Sequence, residues 1–145
     1  GADIVLTFDW SSARNAFGVE GTDKTLGSTT GALTGNASGH GSMSPWTVRN
    51  TWLAWGADFK DGIVDRTPAS NVDITPTILA LHGLDARGLD GRVLRESIEG
   101  GIDHEKVPVE TKTYHVRARN VPYEAVVQVT ELAHQRYIDK GWRVR

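Results

Sequence analysis

An α/β fold is predicted by three features. A short apolar run stands near the start, two helices with clear start and stop residues follow, and alternating strands fill the last third. If the chain is a piece of something larger, the same order of strand, long loop, helices and β-meander reads as α+β. The 145 residues suffice for one domain, and a self-contained domain of that size buries roughly 70% of its unfolded surface. Hydrophobic residues at 39% and charged residues at 23% make the composition globular rather than disordered.

Several functional classes are excluded at once. A net charge of −2 argues against a dedicated nucleic-acid or anionic-membrane binder, which needs a basic excess. With no cysteine, disulfide scaffolds, thiolate zinc sites and cysteine nucleophiles are ruled out, while the compartment stays open. No apolar run approaches the ~20 residues of a membrane span.

The elements follow in order. Ile4-Val5-Leu6-Thr7-Phe8 is apolar and partly β-branched, a strand signal. Gly1-Ala2-Asp3 precedes it without Met, which reads as a matured protein or a cut piece of a larger one. From Ser11 to Ser44 the chain is rich in Gly, Ser, Thr, Asn and Asp, with Gly18, Gly21, Gly27, Gly31, Gly35, Gly39 and Gly41. A loop this long inside a domain demands a function.

Ser44 suits an N-cap, Pro45 the first helical position, and Gly56 a left-handed stop. The helix between them carries Trp46, Leu53 and Trp55. A second helix is bounded by Asp73 as N-cap, Pro76 in the first turn and Gly83 at the end, with Ile74, Ile78 and Leu81 as its apolar face. Leu79 and Leu84 are placed for the hydrophobic contact of a Schellman ending. Val93 to Ile98 could form a short third helix after the turn-rich 85–91. Alternation predicts strands over Val107–Tyr114 and Tyr123–Thr130, and Asp139-Lys140-Gly141 reads as a turn between two further short strands. The division falls at 1–101, with strand, loop and helices, and 102–145, the meander.

Chemistry concentrates at Gly39-His40-Gly41-Ser42-Met43-Ser44-Pro45. A histidine between glycines can approach a ligand closely, it lies before a helix start that favours anions, and neutral imidazole ligates metals. The plainer reading is a surface histidine in a turn. The stretch lacks the glycine and lysine of a phosphate-binding loop, and Ser42 and Ser44 lack the second glycine of a nucleophile elbow. A Ser42/His40/Asp73 triad is disfavoured, since nucleophile and base rarely sit two residues apart on one loop.

The other histidines read as ordinary. His82 ends a helix, where its partial charge suits the dipole; His104, between Asp103 and Glu105, is a solvated turn; His115 and His134 have hydrogen-bonded roles on strands. Asp58, Asp61, Asp65 and Asp73 fit no contiguous metal loop. Arg136, Arg143 and Arg145 with Trp142 decorate a solvated hairpin rather than a nucleic-acid face. Asn36-Ala37-Ser38 fits the glycosylation pattern, a frequent chance match.

Together, four blocks resemble the C-terminal part of the alkaline phosphatase superfamily. They are residues 39–45; Asn50-Thr51-Trp52-Leu53-Ala54-Trp55-Gly56-Ala57-Asp58-Phe59-Lys60; Val72-Asp73-Ile74-Thr75-Pro76-Thr77-Ile78-Leu79; and Leu84 with Asp90-Gly91-Arg92-Val93-Leu94. The likeness is nearest to type I phosphodiesterase/nucleotide pyrophosphatases and their sulfatase-like relatives, and clearest over Gly39 to Leu94. It implies the final part of an α/β sandwich plus a small antiparallel sheet. It also implies a two-metal hydrolase, typically using zinc, that acts on phosphate or sulfate esters through a threonine or serine nucleophile. His40 matches the family's late metal-ligand histidine, and the block from Asp73 to Thr77 is structural.

The family's nucleophile and its Asp-His-Gly block lie upstream of the matching region and have no counterpart in this chain. One histidine cannot hold a catalytic zinc, which takes about three protein ligands. The expectation is a C-terminal portion that is inactive alone, binds no metal tightly by itself, and pairs with a missing N-terminal catalytic part or forms homo-oligomers. Two alternatives stand beside it: a non-catalytic binding or assembly module of the same fold, and an unrelated small α+β enzyme using the glycine-rich loop.

Overall fold

The computed structural model describes residues 6–23 and 41–144. Its elements are mixed: strands β1 (Trp10–Arg14) and β2 (Glu20–Asp23), helices α1 (Pro45–Val48) and α2 (Ile74–Leu81), and strands β3 (Glu110–Arg117), β4 (Glu124–Leu132) and β5 (Gln135–Val144). β1 and β2 form one antiparallel sheet, and β3, β4 and β5 form a second in that order. The class is α+β. No parallel pair occurs among the described residues, which agrees with the α+β reading of an isolated piece. The paired strands follow one another through short connections, which make hairpins, whereas parallel strands need a long crossover. No helix among the described residues is long and apolar enough to cross a membrane.

The chain divides into two compact units. Unit one comprises the described residues of Gly1–Asn50, Thr113–Val129 and Ile138–Arg145; unit two comprises Thr51–Lys112 and Thr130–Tyr137.

In unit one, the expected strand at residues 4–8 is not found where it can be seen. Leu6 to Phe8 form no strand, Leu6 is 90% exposed, and Ile4 and Val5 lie outside the described residues. Instead β1 and β2 make a hairpin inside the stretch read as loop. Asn15 builds its turn. The Asn15 side chain accepts the amides of Phe17 and Val19 at 2.9 and 3.0 Å, and its carbonyl accepts Gly18 N–H at 2.9 Å. Such an Asx-type turn is a local signal that composition alone hides. A register shift between Ser11 and Arg14 bulges β1.

The helix expected from Pro45 to Trp55 stops at Val48. Ser44 caps it as read, accepting Thr47 N–H at 3.1 Å, but Arg49 is already extended at φ −74°, ψ 133°. Continuing would have ordered β-branched Thr51 and helix-averse Asn50 for an apolar stripe that nothing among the described residues covers. Leu53 and Trp55 are 87% and 96% exposed.

In unit two, α2 ends as the sequence requires. Gly83, at φ +66°, donates to Ala80 O at 3.0 Å, and Leu84 N–H reaches Leu79 O at 2.8 Å, the paired bonds of a Schellman ending. Its buried face differs from expectation. Pro76 and Thr77 are buried, while Ile78 is 48% exposed. The helix turns its hydroxyl and proline side, rather than its aliphatic one, toward the unit. The third helix is only a 3₁₀ turn, Arg95–Ser97.

The turn placed at Asp139-Lys140-Gly141 is also corrected. β5 runs straight through it, and the hairpin turns at Ala133-His134, where Ala133 takes φ +54°. His134 therefore sits in a turn, not on a strand. Gly141 is buried in β5 because Met43 crosses there: a Cβ on Gly141 would lie 3.2 Å from the Met43 side chain, and Gly141 N–H donates to Met43 O at 2.8 Å. Glycine within a strand marks such close approaches.

Candidate functional site

His40, the one residue the sequence nominates as a metal ligand, lies outside the described residues. Its immediate sequel is fixed within unit one. Ser42 Oγ accepts Ser44 N–H at 3.2 Å and donates to Thr47 Oγ1 at 3.1 Å, and Ser44 Oγ donates to the same oxygen at 3.2 Å. Ser42 and Ser44 are 5% and 1% exposed. The segment after His40 is therefore pinned by a hydroxyl cluster and by the Met43–Gly141 bond. Ser42 thus spends its hydroxyl on this cluster. The anion-favouring helix start is corrected too. α1 has four residues, and the Thr47 and Val48 amides both reach Ser44 O, at 3.1 and 2.9 Å.

The most developed polar constellation lies in unit two and joins two of the sequence blocks. Asp73, fully buried, does not cap α2 with its side chain as read. Its Oδ1 accepts Arg92 N–H at 2.8 Å. Its Oδ2 accepts Ser70 N–H at 2.8 Å and the Tyr137 hydroxyl at 3.1 Å. Ser70 and Asp73 thus close a reciprocal capping arrangement one turn earlier. Thr77 Oγ1 donates to Asp73 O at 2.6 Å and accepts Leu94 N–H at 3.1 Å.

Arg92 is the hub. Its Nε–H donates to the Tyr137 hydroxyl at 2.9 Å, and its two terminal nitrogens grip Glu96 at 2.8 and 2.5 Å. One of them also reaches Pro68 O at 2.8 Å. This is the planar, bidentate geometry only arginine supplies. Burial works against the Arg92 charge, but the hydrogen bonds and attraction of Glu96 prevail, and its pKa is raised. The Tyr137 hydroxyl is pushed up from 10.0 to about 12. Burial is the largest cause; the Arg92 charge opposes it and Asp73 reinforces it.

That shift has a definite sign. Below pH 10 the phenol is protonated both folded and unfolded, and its contribution to stability is complete. Between about 10 and 12 the unfolded chain releases a proton that the folded chain keeps, so stability falls. In urea titrations across that window, the stability gap between wild type and Tyr137→Phe is expected to narrow. A constant gap would show that the phenol ionises alike in both states.

A third block joins the same unit. Phe59 bridges Ile98 in antiparallel fashion, with Lys60 N–H to Ser97 O at 3.0 Å and Glu99 N–H to Asp58 O at 2.9 Å. Asp65 accepts Thr67 N–H at 2.8 Å and Ser97 Oγ–H at 3.0 Å. The carboxylates of Asp65 and Asp73 are thus spent on structure. Among the described residues, no group of three or more His, Asp or Glu could hold a metal ion.

The remaining histidines follow the plain readings, apart from His134. His82 is the C-cap of α2, and His104 sits in a 3₁₀ turn whose Asp103 accepts Glu105 N–H at 3.1 Å. His115 on β3 pairs with Glu124 at 3.0 Å. The hydrogen bond from His115, then that from Arg117, holds the Glu124 carboxyl below its ordinary range. Arg136 pairs with Glu131 at 3.0 Å, the Arg143 guanidinium lies 5.4 Å from the Tyr123 ring centre, and Arg145 lies outside the described residues. Sequence reasoning missed Arg92, Glu96 and Tyr137. The Arg92–Glu96 spacing of four residues was a usable signal for an ion pair.

Comparison with protein-family models, curated proteins and solved structures finds no match to this chain.

Proposed function

We propose that the chain is the C-terminal portion of a metal-dependent phosphodiesterase/nucleotide pyrophosphatase-like hydrolase of the alkaline phosphatase superfamily. In this reading it contributes His40 as one metal ligand and is inactive alone. The observation that carries the reading is the tie between the blocks that bear the resemblance. Asp73 and Thr77 bind the amides of Arg92 and Leu94, so residues far apart in sequence each have a role in one structural unit. The near-complete exposure of Leu53 and Trp55 supports it as well, because a portion of a larger fold leaves apolar surface for its complement. The zinc or similar divalent ion would belong to the parent enzyme, and its phosphate- or sulfate-ester substrate would meet that ion alongside the upstream nucleophile.

The full open reading frame is expected to encode a Thr or Ser nucleophile and an Asp-His-Gly block upstream. The purified chain is expected to hydrolyse neither aryl phosphodiesters nor aryl sulfates, with or without added zinc. Stoichiometric tight zinc with turnover abolished by His40→Ala would overturn this reading.

A further inference from the structure

We propose that Asp61, in the loop of unit two between Lys60 and Asp65, is a site of spontaneous covalent modification, where the aspartate isomerises to isoaspartate through a cyclic succinimide. The only co-reactant is water. The Gly62 backbone nitrogen loses its proton and bonds to the Asp61 Cγ, and one carboxylate oxygen leaves as water with that proton and a second from solvent. A water molecule then adds to the α-carbonyl carbon of the ring and breaks its bond to the Gly62 nitrogen. The chain now runs through the side-chain carbonyl, the α-carboxylate is free, and the borrowed proton returns to solvent. The inference stands apart from the hydrolase reading.

The sequence offers two places for this reaction. A glycine after the aspartate leaves the attacking nitrogen unshielded, because it brings no Cβ. Asp-Gly occurs at Asp61-Gly62 and at Asp90-Gly91, and the fold treats the two pairs differently.

Asp61 and Gly62 are exposed, and among the described residues no hydrogen bond or ion pair engages residues 61–64. Gly62 takes φ +66°, and the space a Cβ would fill there is open. With no bond to break, the Asp61 carboxylate and the Gly62 nitrogen turn toward one another at low cost. The loop is clipped at both ends to one residue. Lys60 N–H donates to Ser97 O at 3.0 Å, and Ser97 Oγ–H donates to Asp65 at 3.0 Å. The rotation, and the extra backbone carbon of isoaspartate, fall between these clips and disturb neither.

The Asp90-Gly91 peptide is held on both sides. Gln135 Nε2 donates to Asp90 O, and Arg92 N–H donates to Asp73 at 2.8 Å. The glycine packs so closely on Val72 that an added Cβ would lie 2.0 Å from its carbonyl oxygen. Turning that peptide toward the ring geometry requires parting the segment from the start of α2. Asp90 is exposed as well, so exposure does not separate the two sites. Backbone restraint does.

The test is incubation of the chain at 37 °C in neutral buffer made with oxygen-18 water, with isoaspartate located by peptide mapping and fragmentation. In the folded chain, isoaspartate carrying heavy oxygen is expected at Asp61 at least about tenfold faster than at Asp90. In guanidinium chloride, where the restraint is gone and both aspartates precede glycine, the two rates should agree within about threefold. Asp61→Glu should abolish the product at position 61, because the larger ring closes far more slowly, and leave the rate at Asp90 unchanged. Three results would each overturn the proposal: no isoaspartate at Asp61 in the folded chain, Asp90 isomerising as fast as Asp61 there, or the same gap between them persisting in guanidinium chloride.

Discussion

Arg92→Ala is expected to cost about 3–5 kcal/mol of folding stability, the usual penalty for leaving a buried charge without its partner. Glu96 is 2% exposed and Arg92 15%, so the glutamate left behind is largely shut off from water. The same truncation leaves the Tyr137 hydroxyl and Pro68 carbonyl without their arginine donors. Arg92→Lys should recover only part of the loss, because an ammonium cannot grip both glutamate oxygens and the phenol together. The double variant Arg92→Met/Glu96→Leu should be clearly more stable than Arg92→Ala, since it removes both charges and keeps the volume. Urea unfolding followed by tryptophan fluorescence checks all three. A double variant no more stable than Arg92→Ala would show that the cost is lost packing rather than an abandoned charge.

Gly91→Ala should be nearly as damaging, for an unrelated reason. A Cβ at position 91 would lie 2.0 Å from the carbonyl oxygen of Val72 and 2.9 Å from the amide nitrogen of Asp73. Both are backbone atoms, so no side chain can swing aside. Relief requires separating the 90–94 segment from the start of α2, and that displaces Arg92 N–H from Asp73. A loss of about 3 kcal/mol or more is expected, at the upper end for overpacking because backbone and network move together. A midpoint shift worth less than about 1 kcal/mol would mean the segments part without cost.

These two residues also show what sequence can and cannot reveal. Local chemistry was legible. Ser44 caps α1, the ending of α2 at Gly83 follows from backbone bonds between near neighbours, and His82, His104 and His115 behave as their surroundings suggested. What failed was decided at a distance. Asp73 was read as a helix cap because its neighbours allow nothing else to be inferred, yet two of its hydrogen-bond partners lie 19 and 64 residues away. Asp139-Lys140-Gly141 has turn composition, but pairing with β4 and the close approach of Met43 keep it in a strand. Ile78 belongs to the apolar face that periodicity predicts, yet it is 48% exposed, because periodicity identifies an apolar face without saying which surface covers it. Asp90-Gly91-Arg92 could be quoted as a motif from sequence. Its physical content, a backbone contact and a buried arginine fork, needed three dimensions. His40, the candidate metal ligand, lies outside the described residues.

The Arg92 hub carries a kinetic consequence. Its link to Tyr137 spans 45 residues, and that from Tyr137 to Asp73 spans 64. Contacts separated this far reward the chain only after a long loop has closed, so they form late in folding. These bonds would then be absent at the folding barrier and present only beyond it. Under that order of events, damage to Arg92 shortens the lifetime of the folded state and scarcely changes how fast it is reached. The network would work as a latch on a structure already assembled, setting how long the unit stays closed.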